Sequence, residues 1–296
     1  MEGVYQEETM KTIPVRHLAD THQGQTSAGR FSMRNLADVL NDKALVHDLH
    51  KHDFYFILAV EQGQGIHEID FIRYDIHNYA VFILRPGQVH SLQLTAGCTG
   101  YLLEFDPSFY QPKNTLAEQH WKKAISKNHC EVEESRFRKL LSYLSNCFTE
   151  YAAKETGYQE AIKANLDLFL IELVRQSRNP TRVSSGANTY IQERYEELLR
   201  LLEEKITQVK SVSQYARLLN LSVYQLNAIT KASVGKTAAD LITEQILLEA
   251  KRYLLATPNQ IKDIAWHLGY EDTSYFIRFF KSHTGQSPDV FRKNFS

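Results

Sequence analysis

The chain has 296 residues, of which 43% are hydrophobic and 23% are charged, and its formal net charge is -1. This composition excludes a wholly disordered chain and a generally basic nucleic-acid-binding coat, and the length is sufficient for two domains. No apolar run approaches the roughly 20 residues that a membrane-spanning helix needs. Residues 1–12 also lack the basic start and the apolar stretch of a secretion signal.

The three cysteines, Cys98, Cys130 and Cys147, are widely spaced and fit neither a disulfide framework nor a zinc motif. Such cysteine usage favours a reducing compartment. We therefore expect a cytoplasmic protein without a membrane partner.

Charge is unevenly distributed along the chain. Residues 205–296 contain 12 Lys and Arg against 7 Asp and Glu, whereas the rest of the chain has more acidic than basic residues. This asymmetry predicts one domain suited to a polyanion and one that is not.

Residues 1–110 have the pattern of a β domain. Aromatic and branched side chains fill short runs that Gly and Pro turns separate, and these runs are 54–60, 80–84 and 101–105. Short strands at near-regular spacing are typical of a small sandwich or barrel.

Residues 111–176 change to a helical pattern. The second helix, roughly 157–176, has an apolar stripe wider than one sheet requires, made of Ile162, Leu166, Leu168, Phe169, Leu170, Ile171, Leu173 and Val174. Two interpretations stay open, an ordinary core within the domain and a dimer interface.

Residues 177–188 contain Pro180, Gly186 and three serines with almost nothing apolar, which predicts a linker. Residues 189–296 then read as helix with short turns. The predicted architecture is therefore multidomain α+β, with a β domain, a helical hairpin and an all-α C-terminal domain.

The all-α segment contains a degenerate repeat. Ala216 and Ala265 are 49 residues apart, as are Asn220 and Gly269, and past this point the offset becomes 50. A small residue lets two helices cross closely, and the position four residues later tolerates the positive φ of a tight turn. Each copy therefore predicts a helix-turn-helix.

The second helices of the two copies are predicted at 223–233 and 273–283, with Gly235 and Gly285 as C-terminal caps. The helix predicted between the copies, 238–255, is long enough to hold them about 25 Å apart. Two such helices near one DNA turn (~34 Å) apart enter successive major grooves on one face of the duplex.

The second copy resembles the AraC-type transcription regulators. The resemblance rests on nearly the whole family signature, namely Ile261, Ile264, Ala265, Leu268, Gly269, Tyr270, Asp272, Ser274, Tyr275, Phe276, Arg278, Phe280, Lys281, Gly285, Ser287, Pro288 and Arg292. It implies a homodimeric regulator, more often an activator than a repressor, that binds double-stranded promoter DNA. RNA polymerase is a further candidate partner.

The exposed face of each second helix should reach the bases. The predicted contacts are Tyr224, Gln225 and Asn227 in the first copy and Thr273, Ser274, Ile277 and Arg278 in the second. The predicted phosphate contacts are Lys231 and Lys281, with Lys236 and Lys262 as further candidates. We expect Tyr275, Phe276, Phe279 and Phe280 to be mainly core.

The first copy departs from the family at two positions. Ala228 stands where a long polar or basic residue is common, and Thr230 replaces a frequent aromatic residue. The first copy therefore reads bases through fewer side chains, or contributes mostly shape and backbone contacts.

Residues 1–110 resemble, more loosely, the cupin-like effector domain of the same family. Metal-binding cupins use His-x-His, a nearby Glu and a later His; here His50, His52 and His90 are present, but Phe56 and Ile57 occupy the likely Glu positions. The resemblance implies that the barrel is kept and the metal lost, so we expect no metal and no cofactor. The alternatives that stay open are a zinc site made of the three histidines without the carboxylate and a purely structural role for them.

An organic effector, a sugar or another metabolite, is expected instead. Its predicted contacts are His50, His52, Phe54, Tyr55, Arg85 and His90, with His67, Arg73 and His77 as weaker candidates or plain surface.

No catalytic residues are predicted, because the sequence has no Gly-rich phosphate loop, no Gly-x-Ser-x-Gly and no persuasive Cys–His pair. We therefore expect a ligand-responsive DNA-binding regulator and not an enzyme. The alternative is a cupin metalloenzyme fused to a DNA-binding module.

Overall fold

The computed structural model describes residues 12–18, 30–176 and 186–295. The chain divides into two compact units. The described residues from Pro14 to Gln176 form the first, called the barrel unit below, and those from Gly186 to Phe295 form the second, called the helical unit. Within the described residues, no helix is both long enough and apolar enough to cross a membrane.

The strands of the barrel unit are β1 Val15–Arg16, β2 Phe31–Asn35, β3 Leu45–His52, β4 Tyr55–Gln62, β5 Gly65–Ile69, β6 Ile72–Ile76, β7 Ala80–Leu84, β8 Val89–Leu94, β9 Thr99–Phe105 and β10 His129–Glu131. They form two five-stranded sheets, with strand orders β1-β3-β8-β5-β6 and β10-β7-β4-β9-β2. All neighbouring strands are antiparallel except β1 and β3.

The two sheets share one apolar core, so the sheet-rich domain predicted for this part of the chain is confirmed. Phe56, Leu58 and Val60 of β4 pack in this core with Ile69 and Leu92 of the other sheet. Because successive side chains of a strand point to opposite faces, the alternate residues of β4 lie outside the barrel. They pack against a second core that the helices cover.

The helices of the barrel unit are α1 Leu36–Leu40, α2 Thr115–Ile125, α3 Glu134–Ala153 and α4 Tyr158–Gln176. Most of the wide apolar stripe of α4 is accounted for within this unit, since Ile162, Leu166, Phe169, Leu170 and Leu173 are buried in the second core. Ile171 and Val174 are half-buried, and Leu168 is exposed over 46% of its surface. The intradomain interpretation therefore explains most, but not all, of the stripe.

The helical unit contains α5 Gly186–Lys205, α6 Val212–Leu218, α7 Val223–Val234, α8 Ala238–Ala256, α9 Ile261–His267, α10 Thr273–Thr284 and α11 Pro288–Phe295. The two predicted second helices and the helix between the copies, now α7, α10 and α8, are confirmed to within one residue at each end. Most of the predicted linker, 177–185, lies outside the described residues. Its last residues, 186–188, belong to α5 and not to a linker, so the predicted boundary is too late.

Candidate functional site

Both sequence copies fold as helix-turn-helix units, α6–α7 and α9–α10. The turn residues predicted from the repeat have left-handed backbones, with φ of 55° at Asn220 and 73° at Gly269. Ala216 and Ala265, the small residues of the two copies, are buried. The predicted caps Gly235 and Gly285 end α7 and α10 with φ of 73° and 78°. The turns, the buried alanines and the C-terminal caps of both units are therefore as the repeat predicts.

The turn at Gly269 is held by the loop that follows α5. Lys210 Nζ donates a hydrogen bond to the Gly269 carbonyl oxygen at 3.1 Å and lies over the Tyr270 ring at 5.1 Å. A Cβ added at Gly269 would lie 2.3 Å from the Thr207 carbonyl oxygen. This close approach requires a glycine, whereas the equivalent turn of the first copy accepts Asn220.

Each second helix exposes one row of side chains at positions i, i+4 and i+7. The row is Tyr224, Ala228 and Lys231 on α7 and Ser274, Arg278 and Lys281 on α10. Residues with this spacing share a helix face. The exposed fraction is 84% for Tyr224, and 69% for the Arg278 side chain. Both rows are therefore open to a partner.

Two predicted DNA contacts on α7 also take part in the fold. Gln225 completes the capping box of α7, where its Oε1 accepts a hydrogen bond from the Ser222 N–H at 2.8 Å. Asn227 is half-buried, and its Oδ1 accepts from the Ala238 N–H at the start of α8 at 3.0 Å. In both side chains the amide oxygen is used by the fold, which leaves the NH₂ group as a donor.

On α10, Thr273 and Ile277 are half-buried, and Phe276 and Phe280 are buried as predicted. The expectation for Tyr275 is wrong, since 55% of its surface is exposed. Each helical residue is turned about 100° from the one before it, so Tyr275 lies beside the buried stripe of Phe276 and not on it.

Phe279 is half-buried against Tyr270, with ring centroids 5.8 Å apart. It belongs to the rim of the core.

The candidate phosphate contacts differ in their availability. Lys231, Lys262 and Lys281 are exposed. Lys236 Nζ instead forms an ion pair with Glu244 at 2.7 Å. Arg278 lies 3.8 Å from the Asp272 carboxylate, in an exposed position where ion pairs are weak.

The barrel unit contains a cluster of buried histidines. His50 and His52 alternate along β3 and therefore share a face, and His90 on β8 is paired with His50 in the sheet register. His52 Nε2 lies 2.9 Å from His50 Nε2 and 3.3 Å from His90 Nε2. Three of the predicted effector contacts are thus brought together at a single point.

His67 on β5 belongs to the same cluster, where its Nε2 lies 2.9 Å from His90 Nδ1. It is fully buried, whereas the other two weak candidates, Arg73 and His77, are exposed. Its place follows from the register of β5 on β8, which puts His67 opposite Leu92, two residues along from His90. No spacing in the sequence shows this neighbourhood.

Burial keeps the cluster neutral. It lowers the pKa of His52 to about 2 and the pKa of His67 to about 3, and it also lowers the pKa values of His50 and His90. The charges of neighbouring histidines act in the same direction on His52, His67 and His90. Neutral imidazoles present one lone pair each.

The aromatic residues predicted for the pocket are separated. Phe54 stacks on His52 with ring centroids 4.3 Å apart, inside the barrel. Tyr55 lies on the opposite face of the sheet and packs against Trp121 at 4.8 Å, so its assignment to the same pocket is wrong. Arg85 is half-buried in the turn after β7, where its N–H donates to Gln88 Oε1 at 2.9 Å.

A second polar group lies on the inner face and was missed in the sequence. Glu104 is buried, is paired with Phe56 in the sheet register and forms an ion pair with Arg34 at 2.9 Å. Since paired residues of neighbouring strands share a face, this ion pair belongs to the inner side of its sheet.

Two family models match the chain. Residues 41–170 match the AraC-like ligand binding domain, and residues 215–294 match a helix-turn-helix domain.

Curated relatives include the HTH-type transcriptional activator RhaS of Enterobacter sp. (strain 638), 25% identical over 82% of this chain and 87% of the relative. RhaS of Pectobacterium carotovorum subsp. carotovorum (strain PC1) is 27% identical over 82% of this chain and 86% of the relative. Among solved structures, ToxT of Vibrio cholerae O395 is 15% identical over 90% of this chain and 98% of ToxT, with a TM-score of 0.42.

A ligand-binding domain followed by two helix-turn-helix units defines a ligand-responsive DNA-binding regulator of transcription. Both domain models and the curated relatives point to the same family. The chain is an AraC-type regulator with an N-terminal ligand-binding domain.

Proposed function

We propose that this regulator is an activator that reads one promoter site through α7 and α10 together. The observation that carries the proposal is the pair of exposed rows, at equivalent positions of two helix-turn-helix units within one compact unit. The resemblance to RhaS, which is named as an activator, favours activation over repression.

The two rows differ in chemistry, so we assign them different roles. Arg278 offers a guanidinium fork that suits a guanine edge, while Lys231 and Lys281 offer point charges that suit phosphates. Ser274 and Thr273, at the start of α10, add short hydroxyl donors, and Ile277 adds an apolar contact. The second unit therefore contributes most of the base discrimination.

The first unit has less to offer for hydrogen-bond readout. Ala228 takes the place equivalent to Arg278, so Tyr224 is the large exposed side chain of this row besides Lys231. Gln225 and Asn227 retain only their NH₂ donors for a base. We propose that α7 reads shape and apolar features more than hydrogen-bond patterns.

Effector control belongs to the barrel unit. Its inner face carries the histidine cluster and the Arg34–Glu104 pair, which suit a polar metabolite such as a sugar. We propose that the effector strengthens DNA binding in a homodimer. Leu168, the exposed residue of the apolar stripe of α4, is the candidate contact between subunits. An activator works at promoters, so we also propose RNA polymerase as a partner and the cytoplasm as the location of the protein.

The test is binding of purified full-length protein to fragments from upstream of its own and neighbouring genes, at several salt concentrations. Arg278→Ala should weaken binding to the selected fragment by about 10- to 100-fold, which corresponds to the loss of one bidentate base contact. The matched control is Arg200→Ala, an exposed arginine of α5 paired with Glu204, which should leave binding unchanged. Fragment-blind binding, or equal losses in both variants, would contradict the proposal.

A further inference from the structure

We propose that His50, His52 and His90 form a three-imidazole binding site for a divalent transition-metal ion such as Zn²⁺, with His67 as a positioning residue. Their candidate ligand atoms all lie within 4.8 Å of one another, and all three residues are buried. This inference goes beyond the proposed function, because the proposed function treats the histidine cluster as polar contacts of an organic effector and names no ion there.

Two of the three nitrogen–nitrogen separations fit ligands of one ion. A metal ion lies about 2.0–2.1 Å from each imidazole nitrogen, so two ligands are about 3.3 Å apart at a tetrahedral angle and about 2.9 Å apart at a right angle. The observed Nε2 separations are 3.3 Å for His52 and His90 and 2.9 Å for His50 and His52. These two separations therefore match those of ligands on a single ion, and the candidate ligand atoms of His50 and His90 lie within 4.8 Å of each other.

The outer nitrogens of two rings are held as ligands require. His50 Nδ1 lies 2.6 Å from the Asp48 carbonyl oxygen, which only accepts, so this nitrogen carries the proton and Nε2 presents its lone pair. His90 Nδ1 lies 2.9 Å from His67 Nε2, and in the tautomer that donates from His90 Nδ1 its Nε2 also presents a lone pair. Such outer hydrogen bonds fix the tautomer and orientation of metal-bound histidines.

Without a cation, the Nε2 atoms of His50, His52 and His90 share too few hydrogens to form a hydrogen bond at each contact. With His50 Nε2 unprotonated, one hydrogen on His52 Nε2 has to serve both neighbouring nitrogens. When the proton of His52 is on Nδ1, which is buried without a hydrogen-bond partner, a cation at their centre accepts all three Nε2 lone pairs at once.

The chemistry of the donors selects the ion. Imidazole suits Zn²⁺, Ni²⁺, Cu²⁺ and Fe²⁺, whereas Mg²⁺ and Ca²⁺ require oxygen ligands. The position where a metal-binding cupin offers a carboxylate holds Phe56, whose ring centroid is 5.4 Å from those of His52 and His90. Three protein ligands leave a further coordination position for water or a small ligand.

The experiment uses full-length protein without a polyhistidine tag, freed of metal by a chelator and titrated with Zn²⁺ in the absence of DNA. We expect one Zn²⁺ per chain and an X-ray absorption spectrum with three imidazole ligands. His90→Gln should abolish stoichiometric binding, and His67→Gln should weaken it about 10- to 100-fold, as expected for an outer hydrogen-bond partner. The control is His77→Gln, an exposed histidine of the same unit, which should bind normally.

A variant outside the cluster guards against misfolding of the histidine variants. Arg16 is paired with His52 in the sheet register, and its charge opposes a cation in the cluster. Arg16→Gln should therefore tighten Zn²⁺ binding several-fold. Binding that survives His90→Gln in folded protein, two or fewer imidazoles in the wild-type spectrum, or an affinity indifferent to Arg16 would overturn the proposal.

Discussion

Replacing Gly269 by alanine should open the second helix-turn-helix far more than the same change at Gly285. Both glycines have left-handed backbones, with φ of 73° and 78°. Their surroundings differ, because a Cβ at Gly285 meets nothing within 4 Å, whereas a Cβ at Gly269 lies 2.3 Å from the Thr207 carbonyl oxygen and 2.6 Å from Lys210 Nζ.

The expected loss of stability in each variant has two contributions, the backbone conformation and the space around the added Cβ. The left-handed conformation costs an alanine about 1 kcal/mol at either site. At Gly269 the Thr207 carbonyl belongs to the backbone and cannot swing aside, so overpacking adds about 2 kcal/mol. This difference corresponds to about a 30-fold change in the opening equilibrium.

Amide hydrogen exchange of the full-length chain, read by mass spectrometry on peptides from α9 and α10, measures that equilibrium locally. We expect the amides of Gly285→Ala to exchange about 5-fold faster than those of the wild type. Those of Gly269→Ala should exchange about 30-fold faster still. Equal protection in the two variants would refute the reasoning, since it would mean that the loop after α5 does not hold this turn.

Three further predictions concern DNA binding and stability. Lys281→Ala should lower the magnitude of the slope of log affinity against log salt by about 0.9, and an unchanged slope would remove Lys281 from the phosphate contacts. Phe276→Ala should lower the free energy of unfolding by about 3–5 kcal/mol in urea titrations, while Tyr275→Ala should cost well under half as much. Metal-free protein should lose stability as the pH falls below about 6.5, because unfolding returns buried imidazoles such as His52 and His67 to their ordinary pKa and lets them bind protons. The loss is up to about 1.4 kcal/mol per pH unit for each such imidazole, and an unfolding midpoint equal at pH 7 and pH 5 would contradict it.

The helical unit was largely predictable because its signals are local. A repeat offset of 49 and then 50 residues marks both turns, and left-handed residues and caps follow from the residue types themselves. The exposure of Tyr275 could not be predicted in this way. Its neighbours Phe276 and Phe280 are buried, but a position at the boundary of two helix faces is decided by what packs beside it.

The barrel unit was less predictable because its neighbourhoods depend on sheet register. Alternation along β4 separates Phe56 from Tyr55, but both faces of this strand are apolar and buried, so the pattern alone cannot select the inner one. The cluster of His50, His52 and His90 was visible as a motif without its carboxylate. The addition of His67 required the pairing of β5 with β8.

The claim that α7 and α10 read one site together is tested most directly by measuring affinity for every single-base-pair variant of the selected fragment, with wild type, Tyr224→Ala and Arg278→Ala. We predict two groups of sensitive base pairs about one helical turn (~10.5 base pairs) apart. Each substitution should relax the sequence preference of one group and leave the other intact. A single sensitive group, or two groups that respond alike to both substitutions, would contradict the account.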